Sequence, residues 1–232
     1  MGMKAEERAL GIIFLPPALN LAFSFIVGYM AYLEHSSLPI GVRAARMVYT
    51  YGGVLWGVFE GIAVALALRE VGAGWLREKY RRGGAGDAAL AAALAAATWA
   101  ILFSWQVLNA YMYGGWERYS EYWRLVVGGV PLWARLYMAA VAPFVAGFFE
   151  EVLWRGYGLD VLEPRLGRGW ALALQAVAFG LMHGPTLYAA VAAVIGYLYG
   201  LAYYRAGRRL LPLSAAHVVV DLVGFWAAFM WT

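Results

Sequence analysis

Long apolar segments recur along the chain and constrain its fold more than any other feature. A helix needs about 20 predominantly apolar residues to cross the hydrocarbon of a bilayer. Seven segments are candidates: residues 9–33, 47–68, 88–112, 131–149, 170–183, 186–204 and 210–231. The sequence therefore predicts an all-α, polytopic transmembrane helix bundle with about seven spans. The fifth segment is short and ends before Gly184-Pro185, so segments five and six as one broken element would give six spans, and eight is the other alternative.

Composition places the excess apolar surface in lipid. Of 232 residues, 63% are hydrophobic and 14% are charged, whereas soluble domains average about 45–50% apolar and about 25% charged residues. We therefore expect one membrane-embedded domain, residues 1–232, in the cell membrane. The absence of cysteine excludes disulfides, cysteine metal sites and thiol catalysis.

The basic residues predict an orientation, because cytoplasmic connections carry an excess of Lys and Arg. With seven spans, 13 of them fall on the side of the N-terminus: Lys4, Arg8, Arg69, Arg77, Lys79, Arg81, Arg82, Arg155, Arg165, Arg168, Arg205, Arg208 and Arg209. The other side carries Arg43, Arg46, Arg118 and Arg124. The N-terminus should be cytoplasmic, the C-terminus external, and residues 69–87 a basic, mobile connection. The net charge of +4 is then topological and predicts no nucleic-acid partner.

Ionisable side chains inside spans are costly, so each is a candidate for function. Glu150 and Glu151 follow an apolar stretch, His183 ends the fifth segment, and His217 and Asp221 lie within the seventh.

Helical geometry separates the roles of these residues. Glu151 and Arg155 are four residues apart and can meet on one helix face, as can His217 and Asp221. Glu150 points about 100° away from Glu151 and has no local partner.

This set of side chains suits hydrolysis. A carboxylate can take a proton from water, while imidazoles orient that water or stabilise an oxyanion. Two histidines and a carboxylate can equally bind zinc and leave a fourth position for water. The residue types alone leave both readings open.

Structural roles compete with these assignments. Glu150 and Glu151 can mark a helix end, His183 can act as a hinge, and an interhelical hydrogen bond can explain His217. Their occurrence together favours one functional site. For Glu60, which lies alone in the second span, we predict a structural ion pair with Arg135.

Three short motifs on these segments resemble one known family. Residues 150–155, EEVLWR, match E-E-x-x-x-R; Phe179 to His183 matches F-x-x-x-H; His217 to Asp221 matches H-x-x-x-N/D. The pattern resembles the CAAX protease and bacteriocin-processing family, which includes the CAAX prenyl endopeptidases. The resemblance covers residues 144–225.

The resemblance implies an intramembrane metalloprotease acting on a peptide or membrane-protein substrate. In this pattern Glu150 and His183 activate water, and His217 and Asp221 stabilise the oxyanion or complete the site. Glu151, Arg155 and Phe179 have supporting roles. Zinc held by Glu150, His183, His217 and Asp221 is one reading of the family, and a metal-free glutamate mechanism is the other.

A straight fifth helix would place His183 about 20 Å from its start, out of reach of a Glu150 near the cytoplasmic side. We therefore expect the fourth helix to continue past Glu150, the connection over residues 156–170 to dip into the bilayer, and a water-filled cavity to open to the cytoplasm. Two other functions compete with peptide hydrolysis: a non-enzymatic scaffold or immunity protein, and a proton-coupled transporter.

Overall fold

The computed structural model describes residues 5–230, which form helices and connecting turns without any strand. Lys4 and Trp231, used in the sequence predictions, lie outside this range. The helices are α1 (Ala5–Leu33), α2 (Ile40–Val71), α3 (Ala73–Lys79), α4 (Ala85–Met112), α5 (Trp116–Gly128), α6 (Leu132–Ala140), α7 (Ala142–Glu150), α8 (Leu159–Leu166), α9 (Arg168–Met182), α10 (Tyr188–Arg205) and α11 (Leu211–Met230). A π-helical segment, Glu151–Gly158, joins α7 to α8. The predicted all-α bundle is confirmed.

Four of the described helices are long and apolar enough to cross a membrane: α1, α2, α4 and α11. The α6 helix and the continuous helix Ala142–Leu166 are bent by 45° relative to each other, and the pair forms either a broken fifth span or a re-entrant loop. Every predicted apolar segment is helical, but α9 has only 15 residues. The predicted number of seven crossings therefore stays a prediction.

Large apolar side chains cover the outside of the bundle, as expected for a surface in contact with lipid. Phe25, Phe103 and Tyr111 are 71%, 66% and 84% exposed. Contiguous apolar surface of this kind is rare on soluble monomers. The structure thus agrees with the low charge of the sequence.

The fourth predicted helix continues well past Glu150, as expected. It runs through the π-helical segment and α8 as far as Leu166. The 16 residues after Glu150 place that carboxylate roughly 20 Å from this end of the helix. Glu150 can therefore lie at the depth that His183 reaches at the end of α9.

Helices α9 and α10 form an antiparallel hairpin rather than one broken element. Near the turn, Gly180 lies against Ala189 and Ala193, and further away Gly200 lies against Leu172. Gln175 donates a hydrogen bond of 2.9 Å from Nε2 to the carbonyl of Gly196 across the interface. Glycines let two backbones approach closely in lipid.

The bundle has two chemically different ends. At the first, which we call the basic end, Arg209 pairs with Asp87 at 2.5 Å and Arg165 pairs with Glu6 at 3.4 Å. These contacts bring together the starts of α1, α4 and α11 and the end of α8.

At the opposite end, which we call the aromatic end, Tyr49 packs against Trp123 and Phe229 with ring centroids 5.6 and 5.3 Å apart. Arg46 donates from Nη2 to the carbonyl of Leu125 at 2.7 Å. The start of α2 therefore lies beside α5 and the end of α11.

The prediction of a mobile connection over residues 69–87 is wrong for its central part. Helix α3 occupies it, and Lys79 is only 7% exposed. Lys79 Nζ lies 2.5 Å from Asp160 Oδ2 of α8, and the carbonyl of Lys79 accepts a hydrogen bond from Leu210 N. Tertiary contacts with α8 and the start of α11 thus order this segment, although its charge alone predicted that it would be solvated.

The hairpin interface yields a stability prediction. A Cβ on Gly180 would overlap the carbonyl oxygen of Ala189, which belongs to the backbone and cannot rotate away. We expect Gly180→Ala to lower the free energy of unfolding by about 1–3 kcal/mol, as overpacking does. Gly11→Ala is the matched control, because nothing lies within 4 Å of its Cβ position. Melting temperatures in detergent measure both, and equal values would contradict the close packing of α9 and α10.

Candidate active site

A cavity of about 1020 Å³ lies inside the bundle. Four residues from three helical regions line it: Glu150 at the end of α7, His183 after α9, and His217 and Asp221 on α11. All four residues predicted to act in catalysis therefore face one space, although up to 71 positions separate them in sequence.

The two consecutive glutamates occupy different environments. Glu150 is 6% exposed and lines the cavity, whereas Glu151 is 0% exposed and lies behind the cavity wall. This is the split expected from a rotation of about 100° per residue.

Glu151 binds two partners. Its Oε1 lies 3.2 Å from Nη1 of Arg155 and 2.8 Å from Nδ1 of His217. The first contact was predicted from the spacing of four residues. The second joins the π-helical segment to α11 and holds Nδ1 of His217 against Glu151.

Arg155 is fully buried, so its charge requires compensation. Besides Glu151, its guanidinium lies 4.0 Å from the ring centre of Phe179 and 5.2 Å from that of Tyr199. Cations are stabilised over aromatic faces. Phe179 of the second motif therefore supports Arg155 of the first.

The backbone between Glu151 and Gly158 is π-helical, with hydrogen bonds to the fifth residue instead of the fourth. Such wide turns are frequent at functional sites. All eight residues of the segment are buried. The segment thus presents Glu151 and Arg155 to the interior without ending the helix.

His217 lies among three carboxylates. A carboxylate accepts hydrogen bonds, so Nδ1 donates to Glu151. The opposite nitrogen, Nε2, is 3.5 Å from Glu150 Oε2 and 3.5 Å from Asp221 Oδ2. Both distances exceed that of a good hydrogen bond, so Nε2 is placed to interact with a ligand in the cavity.

His183 is held by the backbone and by aromatic rings. Its Nδ1 donates to the carbonyl of Phe179 at 2.9 Å, because a carbonyl can only accept. The ring packs against Phe179 and Tyr188 with centroids 4.8 and 5.5 Å apart. Its Nε2 is left as the acceptor atom of the neutral ring.

Asn20 of α1 fixes the end of α9 and was missed by the sequence predictions. Its Nδ2 donates to the carbonyl of Met182 at 2.6 Å, and its Oδ1 accepts a hydrogen bond of 2.8 Å from Trp56 Nε1. A lone amide in an apolar span was the available signal. Asn20 thereby positions the residue that precedes His183.

The predicted ion pair between Glu60 and Arg135 is wrong: no such contact joins them in the described part of the chain. Glu60 is 3% exposed and lines the cavity together with Glu150. The bundle brings α2 against α7 and so adds a further carboxylate to the site.

Zinc is the cofactor predicted for this site, with Glu150, His183, His217 and Asp221 as its ligands. Within residues 5–230, no group of three or more His, Asp and Glu side chains is placed to hold a metal ion. Both histidines donate from Nδ1, to Phe179 and Glu151, and leave Nε2 available, as metal-binding histidines also do. Zinc binding therefore stays a prediction, and no step below passes through a metal.

Fold and site together define a polytopic helical membrane protein with buried carboxylates and histidines around an internal cavity. Residues 131–223, which contain all three motifs, match the family described as type II CAAX prenyl endopeptidase Rce1-like. The resemblance predicted from the motifs is therefore confirmed for this segment. The matching family is one of CAAX-type endopeptidases, which are hydrolases. No curated protein and no solved structure matches the chain.

The buried pair of Glu151 and Arg155 predicts that removal of one charge strongly lowers the stability of the fold. In Glu151→Gln the side chain keeps its shape, but Arg155 loses its counter-ion. We expect a loss of about 3–5 kcal/mol of folding free energy, as found when one partner of a buried pair is removed. Glu6→Gln is the control: its pair with Arg165 is about one-third exposed and should contribute less than about 1 kcal/mol. Equal melting temperatures of the two variants would show that Glu151 does not hold the site together.

Proposed function

We propose that the protein is an intramembrane endopeptidase that hydrolyses peptide bonds in the cavity. One observation carries the proposal: Glu150, His183, His217 and Asp221 line one cavity, while the supporting Glu151 is withdrawn behind it. The match of residues 131–223 to a family of endopeptidases supports it.

In this mechanism Glu150 is the general base. Its Oε2 has no hydrogen-bond partner among the described residues and faces the cavity. Glu150 takes a proton from a water molecule, and His183 orients that water through Nε2. No direct hydrogen bond links the two side chains in the described part of the chain, which suits a pair bridged by water.

The oxygen of the water attacks the carbonyl carbon of the substrate and generates a tetrahedral oxyanion. His217, with Nδ1 held by Glu151, donates to this oxyanion from Nε2 in its imidazolium form. Asp221, 3.5 Å from Nε2, stabilises that cation. When the C–N bond breaks, the proton held by Glu150 passes to the leaving amine.

The lining of the cavity supports a proposal about the kind of substrate. Its wall includes the rings of Trp56, Trp99, Trp105, Trp123 and Phe225. About 300–1,000 Å³ is usual for small-molecule sites, so this cavity has room for several residues of an apolar peptide or a lipid-modified one.

Substitution of the two water-activating residues tests the proposal. We expect Glu150→Gln and His183→Ala each to lower kcat by about 10²–10⁴-fold, the usual contribution of positioned acid–base groups. Quenched-fluorescent peptides, with and without a farnesylated CAAX terminus, measure hydrolysis by protein purified in detergent.

Glu6→Gln is the matched control, because Glu6 lies at the basic end and should leave kcat unchanged. Activity of either site variant within about tenfold of the wild type would contradict the assigned roles. A folded wild-type protein that hydrolyses none of the peptides would favour a non-enzymatic scaffold.

The cofactor has its own test. The proposed mechanism uses only side chains and water, so we expect full activity at less than about a tenth of a zinc ion per chain. Metal analysis of the purified protein is combined with assays after chelation and after return of zinc. Loss of activity on chelation and recovery with zinc would show instead that the reaction depends on a metal.

A further inference from the structure

Two expectations from the sequence exclude one another once the cavity is located. The charges predict a cytoplasmic N-terminus, and the position predicted for Glu150 suggested a cavity open to the cytoplasm. The structure places the cavity and the N-terminal end of α1 in opposite halves of the bundle.

The cavity occupies the half toward the aromatic end. It reaches from Arg155 and Tyr199 at its inner limit to Gly28, Ala44, Tyr113 and Tyr122. These last four residues lie near the end of α1, the start of α2, the end of α4 and on α5. In the described part of the chain, neither α3 nor α8 contributes a lining residue.

The basic end is sealed by packing and ion pairs. Asp160 lies 2.5 Å from Lys79 Nζ and 2.9 Å from Arg208 Nη1, which ties α8 to α3 and to the end of α10. Beneath this layer Trp154 and Leu210 are fully buried. A substrate entering from the basic end would have to break these contacts.

The distribution of charge predicts on which side of the membrane the basic end lies. Arg155 is buried in the site and no longer counts as a loop charge. Among the Lys and Arg residues that the structure describes, 11 belong to the first turns of α1 and the connections of the basic end, and four belong to the aromatic end. Short connections rich in Lys and Arg remain in the cytoplasm.

We propose that the cavity opens on the external, non-cytoplasmic face of the membrane. Its substrate is then a polypeptide segment exposed on that face, such as part of an exported or membrane-anchored protein. The statement about the substrate rests on the proposed peptidase function, whereas the orientation of the cavity does not.

The absence of cysteine from the chain allows a direct test. Single cysteines are introduced by Ser37→Cys in the exposed α1–α2 connection, by Ala85→Cys at the exposed start of α4, and by Ser24→Cys in the cavity wall. Cells producing each variant are treated with a membrane-impermeant maleimide before and after permeabilisation. Labelling in detergent shows that each thiol is reactive.

We expect Ser37→Cys and Ser24→Cys to be labelled in intact cells, and Ala85→Cys to lose labelling unless the cells are permeabilised. Labelling of Ala85→Cys in intact cells, or of Ser24→Cys only after permeabilisation, would overturn the proposal. So would a Ser24→Cys thiol that reacts in detergent but from neither side of the membrane. Peptide hydrolysis in detergent is independent of orientation, so a failure there with the expected labelling would refute the peptidase function alone.

Discussion

The carboxylate of Glu151 is the contact on which the rest of the site depends. It binds Arg155 of its own helix and His217 of α11, and neither it nor Arg155 is accessible to solvent. Buried charges are costly to leave unpaired, so this contact fixes the distance between the two helices. Arg155 in turn lies over the ring of Phe179. One charge therefore links the three motifs.

Two features of the backbone place this cluster deep in the bundle. The π-helical segment lets the helix that carries Glu150 continue to Leu166, so the carboxylate lies well inside the structure. The glycine-rich hairpin of α9 and α10 then carries His183 to a similar depth, where Asn20 of α1 holds the last turn of α9. Interactions that are worth little in water are strengthened at such a depth by the low dielectric constant.

The two ends of the bundle differ in their contributions: the basic end stabilises the fold, and the aromatic end surrounds the cavity. Ion pairs such as Lys79 with Asp160 and Arg209 with Asp87 fasten the connections at the basic end. The aromatic end is formed by aromatic side chains around the cavity, which is lined by the candidate catalytic residues. A hydrolase in a membrane needs both features, because water must reach the site while lipid is excluded from it.

The sequence by itself determined the helices and the residues of the motifs. Apolar segments of fixed length must be helical in lipid, and spacings of four residues place Glu151 beside Arg155 and His217 beside Asp221. Helical periodicity assigns residues to faces, but it does not determine which faces meet. Only tertiary packing therefore decided that Glu60 joins the site instead of pairing with Arg135. It also decided that Glu151 binds His217, which lies 66 residues further along the chain. The end at which the cavity lies was likewise decided by packing, because it depends on how all the helices close around it.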